Sequence, residues 1–163
     1  EGMVEQAMTI IENVRKRQDG RFRSPWNEVE CGDHYVRAMS GWILLEAASG
    51  FSCDEGKSIL AFQPRLSPEK FSSLFVAGSG WGRYTQRIRD GSLRAELSVM
   101  SGVVSLREFQ LGPHDGEVIV RKNNRSLASR VALVSKAAAG KLRIQFKEPL
   151  EIGKDETLRI SVG

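Results

Sequence analysis

Leu93-Arg94-Ala95-Glu96-Leu97-Ser98-Val99 alternates apolar and polar side chains without a break. Successive side chains of a strand point to opposite faces, so this period of two predicts a β-strand with one buried and one wet face. Further along, Leu142, Ile144 and Phe146 alternate with Arg143 and Gln145, and Leu158, Ile160 and Val162 with Arg159 and Ser161. Between these lies a phase slip. Val104 and Leu106 give way to Phe109 and Leu111, which predicts a β-bulge near Arg107. Pro113-His114-Asp115-Gly116 and Gly153-Lys154-Asp155-Glu156 carry turn chemistry, and Gly78-Ser79-Gly80-Trp81-Gly82 reads as a tight turn before a strand. Residues 67–163 are therefore expected to form a β-rich C-terminal region, a small antiparallel sandwich-like arrangement.

Upstream the period changes. Val4, Ala7, Met8, Ile11 and Val14 follow helical spacing over residues 3–17, and Asp19-Gly20 supplies a stop. A second helix is expected from a cap at Asp33 to about Ala48, with Tyr35, Ala38, Met39, Trp42 and Leu45 as its apolar stripe and Gly50 ending it. The lack of charge from 38 to 45 points to burial on more than one side.

The composition is that of an ordinary soluble domain: 163 residues, 40% hydrophobic and 27% charged. That length can bury one substantial core. No apolar run is long enough to span a membrane. The start, Glu1-Gly2-Met3-Val4, has neither the form of a signal peptide nor an initiator methionine, so the chain is expected to be cut from something longer. The formal charge is +4, but residues 1–66 are net −2 and residues 67–163 net +6. The surplus, at Lys141, Arg143 and Lys147 for example, falls at the solvated positions of strands. The densest cluster, Arg121-Lys122-Asn123-Asn124-Arg125, reads as a polar loop without aromatic stacking partners, which argues against nucleic acid. Cys31 and Cys53 make no disulfide framework, and His34 and His114 no local metal pattern; no cofactor is implied.

The stretch from Arg23 to Arg37 packs carboxylates, a thiol, an imidazole, guanidiniums and aromatic rings into fifteen positions around a turn. If Asp33 caps the helix, His34, Arg37 and Gly41 share one stripe, and Gly41 leaves it open to a close approach. Arg37 falls near the helix start, where the dipole disfavours a cation, so Glu28 or Glu30 is the natural partner. A carboxylate beside a guanidinium offers fixed acceptors and donors that match two neighbouring sugar hydroxyls. The alternative is a plain ion pair pinning the loop to the helix.

Pro25-Trp26-Asn27-Glu28-Val29-Glu30-Cys31-Gly32-Asp33-His34-Tyr35-Val36-Arg37-Ala38-Met39 resembles the N-E-(I/V)-E-C-G-x-H-Y-x-R motif of glycoside hydrolase family 116, which includes bacterial β-glucosidases and the non-lysosomal glucosylceramidase. The similarity continues through Ser40–Leu45, Ser49-Gly50-Phe51, Phe62-Gln63-Pro64 and Gly80-Trp81-Gly82. The resemblance implies a mixed α and β fold. Residues 1–66 would be the last helices and sugar-site loop of an incomplete (α/α)6 barrel, and 67–163 its β-rich tail. It implies that Glu28 and Arg37 bind hydroxyls of the glucosyl unit, with Glu30 and His34 in supporting roles. The family's catalytic carboxylates lie upstream of the motif. The chain by itself is thus expected to be inactive, with a β-glucoside or related carbohydrate and the upstream catalytic region as its partners. Two further possibilities stand beside this: a non-catalytic carbohydrate-binding β-module, and a structural remnant.

Overall fold

The computed structural model describes residues 2–21, 23 and 39–163. The chain divides into two compact units, residues 1–47 and 48–163.

In the first unit, helix α1 spans Val4–Arg17, with Glu5 in its first turn and Arg15, Lys16 and Arg17 in its last. That distribution complements the helix dipole. None of its residues is buried. Helix α2, Met39–Ser49, ends within the second unit. Gly50 takes a left-handed φ of 58°, as helix-terminating glycines do. The carbonyls of Ala48 and Ser49 accept the N–H groups of Arg65 (2.8 Å) and Gln63 (3.1 Å), so the last turn is tied to the chain beyond it. Of the stretch 38–45 expected to be buried on more than one side, Ile43, Leu44 and Leu45 are exposed, and the side chains of 38–42 lie outside the described ones.

The second unit is built of strands β1 (Ser52–Asp54), β2 (Ile59–Phe62), β3 (Lys70–Ala77), β4 (Gly80–Arg89), β5 (Ser92–Leu111), β6 (Val118–Lys122), β7 (Arg125–Ser126), β8 (Val131–Lys136), β9 (Leu142–Gly153) and β10 (Thr157–Val162). The twenty-residue β5 organises them. Its first half pairs with β4 and β10, giving the order β3-β4-β5-β10-β6-β7. Its second half pairs with β9 and, in parallel, with β2, giving β1-β2-β5-β9-β8. Gly102 (φ 78°) sits within β5, where a Cβ would stand 2.2 Å from the Ser79 carbonyl oxygen. The expected bulge is present: the β5·β9 register shifts between Leu106 and Glu108.

One core joins the two halves. Leu93, Ala95, Leu97 and Val99 of β5 are buried together with Phe109, Ile144, Ile152, Leu158 and Ile160. The Phe62 ring of β2 stacks on the Tyr84 ring of β4, with centroids 3.9 Å apart and planes 6° apart. The Tyr84 hydroxyl donates to Gln86 Oε1 (2.6 Å), and Gln86 Nε2 donates to the Pro68 carbonyl (2.8 Å). A buried polar pair is thereby satisfied, and burial pushes the phenol pKa up.

This architecture corrects the expected fold class. Among the described residues there are two helices and a ten-stranded mixed sheet, predominantly β, which is not a part of a helical (α/α)6 barrel with an antiparallel tail. The barrel was implied by the resemblance, and two stretches lack the periodicity that would have announced strands. Ile59-Leu60-Ala61-Phe62 is a continuous apolar run with no period to separate strand from helix. It forms the parallel, buried β2. In β4 the inward positions include Gly82 and Gln86, which hide the alternation. The Arg121–Arg125 segment is also more than a loop: it is a hairpin in which Asn123 and Asn124 both adopt positive φ (47° and 69°) and Lys122 faces Arg125. Two such central residues match the twist of the flanking strands.

A polar network closes the turn between β9 and β10. Glu156 Oε2 accepts the Gly153 N–H (2.7 Å) and pairs with Lys122 Nζ (2.7 Å), while Lys122 Nζ also donates to the Glu151 carbonyl (2.8 Å). Lys122 first, and then the Gly153 N–H, lower the Glu156 carboxyl pKa. A folded-state pKa below the unfolded one gives stability that is present above the ordinary carboxylate range and lost as pH falls through the folded value. Glu156→Gln should therefore lower the melting temperature at neutral pH, and its gap to the parent should close as pH drops below the ordinary value of 4.5. A gap that stays constant from neutral to acid pH would show that the charge is not what matters there.

Candidate functional site

Glu28, Glu30, His34 and Arg37, and the cap at Asp33, lie outside the described residues. What the described residues assemble is a basic cleft on the outward face of the β3-β4-β5-β10-β6-β7 sheet. It has a volume of about 350 Å³ and is lined by Thr85, Arg87, Arg94, Glu96, Arg159 and Ser161.

Register builds it. Thr85 faces Glu96, which faces Arg159; one row along, Arg87 faces Arg94, which faces Ser161. Lys70 of β3 continues the second row opposite Arg87. The alternation that buries Tyr84, Gln86, Leu93, Ala95, Leu97, Leu158 and Ile160 forces these polar side chains outward. Arg159 is fixed: its Nε lies 2.7 Å from Glu96 Oε2, and its Nη1 donates to Asn124 Oδ1. Ser98 Oγ donates to Glu96 Oε1 (3.3 Å). Toward the other end of the face, Trp81 (41% exposed), Val76, Leu74 and Met100 leave apolar surface open. The β4·β5 register shifts between Trp81 and Gly82, with Met100 as the extra residue.

A second polar cluster lies where β5 meets β9. Glu108 is buried and accepts from Gln110 Nε2 through Oε1 and from Gln145 Nε2 through Oε2 (3.0 Å); Arg143 Nε stands 3.5 Å away. Its carboxylate is thus occupied by donors of its own sheet. Among the described residues no group of His, Cys, Asp and Glu could hold a metal ion. No described helix is long and apolar enough to cross a membrane.

Sequence reasoning placed Arg94, Glu96, Arg159 and Ser161 on wet faces but missed that they converge. The turn joining β4 to β5 carried a readable signal: Asp90-Gly91, both with positive φ (49° and 77°), linking Arg89 to its partner Ser92. An Asp-Gly pair between alternating runs marks a two-residue hairpin, and from it the Arg87–Arg94 pairing follows by counting.

Fold and site together define a predominantly β unit with a basic, hydroxyl-bearing cleft, preceded by a helix that ends on it. No family model and no curated protein matches the chain. Among solved structures, an alpha-L-rhamnosidase from Dictyoglumus thermophilum is similar over 71% of this chain and 12% of that one, at 10% identity and a TM-score of 0.40. The chain is thus weakly similar in structure to a glycoside hydrolase and spans a small part of its length.

Proposed function

We propose that this chain is the substrate-positioning, C-terminal part of a retaining β-glycosidase of the family-116 type, acting on O-glycosidic bonds of β-glucosides or related sugars. The observation that carries the reading is the run Asn27-Glu28-Val29-Glu30-Cys31-Gly32-Asp33-His34-Tyr35-Val36-Arg37. The resemblance continues through Ser49-Gly50-Phe51 and Phe62-Gln63-Pro64. In this reading Glu28 and Arg37 hold two hydroxyls of the sugar, and Glu30 and His34 brace them. The nucleophile and the acid/base, carboxylates about 5–5.5 Å apart in retaining enzymes, belong to an upstream part of a longer polypeptide. Binding energy from the held hydroxyls orients the anomeric carbon between them.

In the longer protein, Glu28→Gln and Arg37→Lys should each lower kcat/KM on an aryl β-glucoside by roughly tenfold to a hundredfold, the range for losing a charged hydrogen bond to substrate. The present chain assayed alone should hydrolyse nothing. Unchanged turnover together with a lower melting temperature in both variants would reduce the pair to a structural ion pair. The second reading, a non-catalytic carbohydrate-binding module, draws on the open cleft and on Trp81, exposed toward the other end of the same face. It requires sugar binding by the chain that Glu28→Gln leaves unchanged.

A further inference from the structure

We propose that the cleft over β4, β5 and β10 binds an anionic glycan, its Arg87–Arg94 row taking a carboxylate or sulfate of the sugar and Glu96, Thr85 and Ser161 taking neighbouring hydroxyls. The charge distribution is lopsided. With β5 counted only over its first half, to Met100, the six strands of this sheet carry nine basic side chains and a single carboxylate, Glu96. That carboxylate is engaged by Arg159 and Ser98, so it does not neutralise the next row.

In that row Lys70, Arg87 and Arg94 stand directly opposite one another on three adjacent strands. Like charges so placed destabilise a sheet. All three are exposed, and among the described residues none has an ion-pair or hydrogen-bonding side-chain partner. Strands lie about 4.8 Å apart, so the row presents two guanidiniums and an ammonium across roughly 10 Å. Neighbouring guanidinium forks suit a two-oxygen anion, which they can grip through paired N–H groups.

The mixed lining selects the kind of anion. A nucleic-acid backbone would meet Glu96 as a repulsive charge, and the row is too short for an extended phosphate track. A sugar needs acceptors as well as donors, and Glu96, Thr85 and Ser161 provide both beside the cations. The choice of a glycan rests on the carbohydrate reading above. The cation row stands on register alone.

The test is binding of the 163-residue chain to dextran sulfate, polygalacturonate, unmodified dextran and a duplex DNA, by calorimetry at physiological ionic strength. Binding to dextran sulfate, to polygalacturonate or to both is expected, the two arms separating sulfate from carboxylate, with none to plain dextran. Arg87→Gln/Arg94→Gln should bind roughly tenfold to a hundredfold more weakly, while Lys147→Gln/Lys154→Gln, which removes the same charge from other exposed positions, should stay close to the parent. Among the described residues neither arginine has a side-chain hydrogen-bond or ion-pair partner, so unfolding midpoints of the Arg87/Arg94 variant at or above the parent's are expected and confirm an intact fold. Equal losses in the two double variants, tighter binding of duplex DNA, or no binding of either anionic polymer would overturn the proposal. Hydrolysis is not read in this experiment, so its failure leaves the glycosidase reading standing, and a negative turnover assay leaves the cleft standing.

Discussion

Phe62→Ala should destabilise the β unit by about 3–5 kcal/mol, the range for removing a fully buried aromatic ring. Phe62 has no exposed surface, and its ring meets four others: Tyr84 stacked at 3.9 Å, Phe51 at 5.1 Å, Phe75 edge-on at 6.0 Å and Phe109 at 6.2 Å. Those rings arrive from β4, the segment after α2, β3 and β5. Tyr84, Phe75 and Phe109 sit on three hydrogen-bonded strands, so the rings cannot all move inward to fill the space left behind. The cavity term therefore adds to the lost burial. Urea unfolding, followed by near-ultraviolet circular dichroism, measures the change. A loss under about 1 kcal/mol would mean that the two halves of the sheet do not pack face to face through this ring, because a collapsing or solvated site is the route to so small a penalty.

The second large effect comes from a side chain too many. A Cβ at Gly82 would stand 1.9 Å from the Ser98 carbonyl oxygen and 3.0 Å from the Phe75 ring. Gly82 lies at the register shift of β4 against β5, where the strands approach closely. The obstructing atom is backbone and cannot rotate away as a flexible side chain would. Gly82→Ala should cost about 3 kcal/mol or more, the upper end for overpacking. Gly56→Ala is the matched control, since its nearest atom would be Asp54 Oδ1 at 3.5 Å, an ordinary contact. Unfolding curves for Gly82→Ala and Gly56→Ala that coincide would refute the close approach.

The strands whose side chains alternate cleanly were legible: 93–99, 142–146 and 158–162 lie in β5, β9 and β10, and the phase slip near Arg107 marks the observed bulge. Less legible were β3 and β4, because a buried Ser73 and Gln86 and the glycine at 82 interrupt the apolar count. Gln86 is tolerated inside because Tyr84 and the Pro68 carbonyl satisfy it, a compensation that no local pattern announces. The helical-barrel expectation failed at residues 52–62, where a short apolar run acquired its identity as a strand by pairing with β5 almost fifty positions later. The basic cleft shows the same division. Its arginines are visible as wet-face residues of separate strands, yet nothing local says that Lys70, Arg87 and Arg94 form one line.

From its sequence alone, this protein's buried and exposed faces are settled along β5, β9 and β10, as are α1 and the turn at Gly153-Lys154-Asp155-Glu156. Periodicity and turn geometry act over a few residues and need no distant partner. Tertiary structure alone decided that β5 serves both halves of the sheet, that β2 joins it in parallel, and that Glu96 meets Arg159 across sixty-three positions of chain. Those pairings are chosen by which buried faces fit together, and that fit exists only once the whole core has closed.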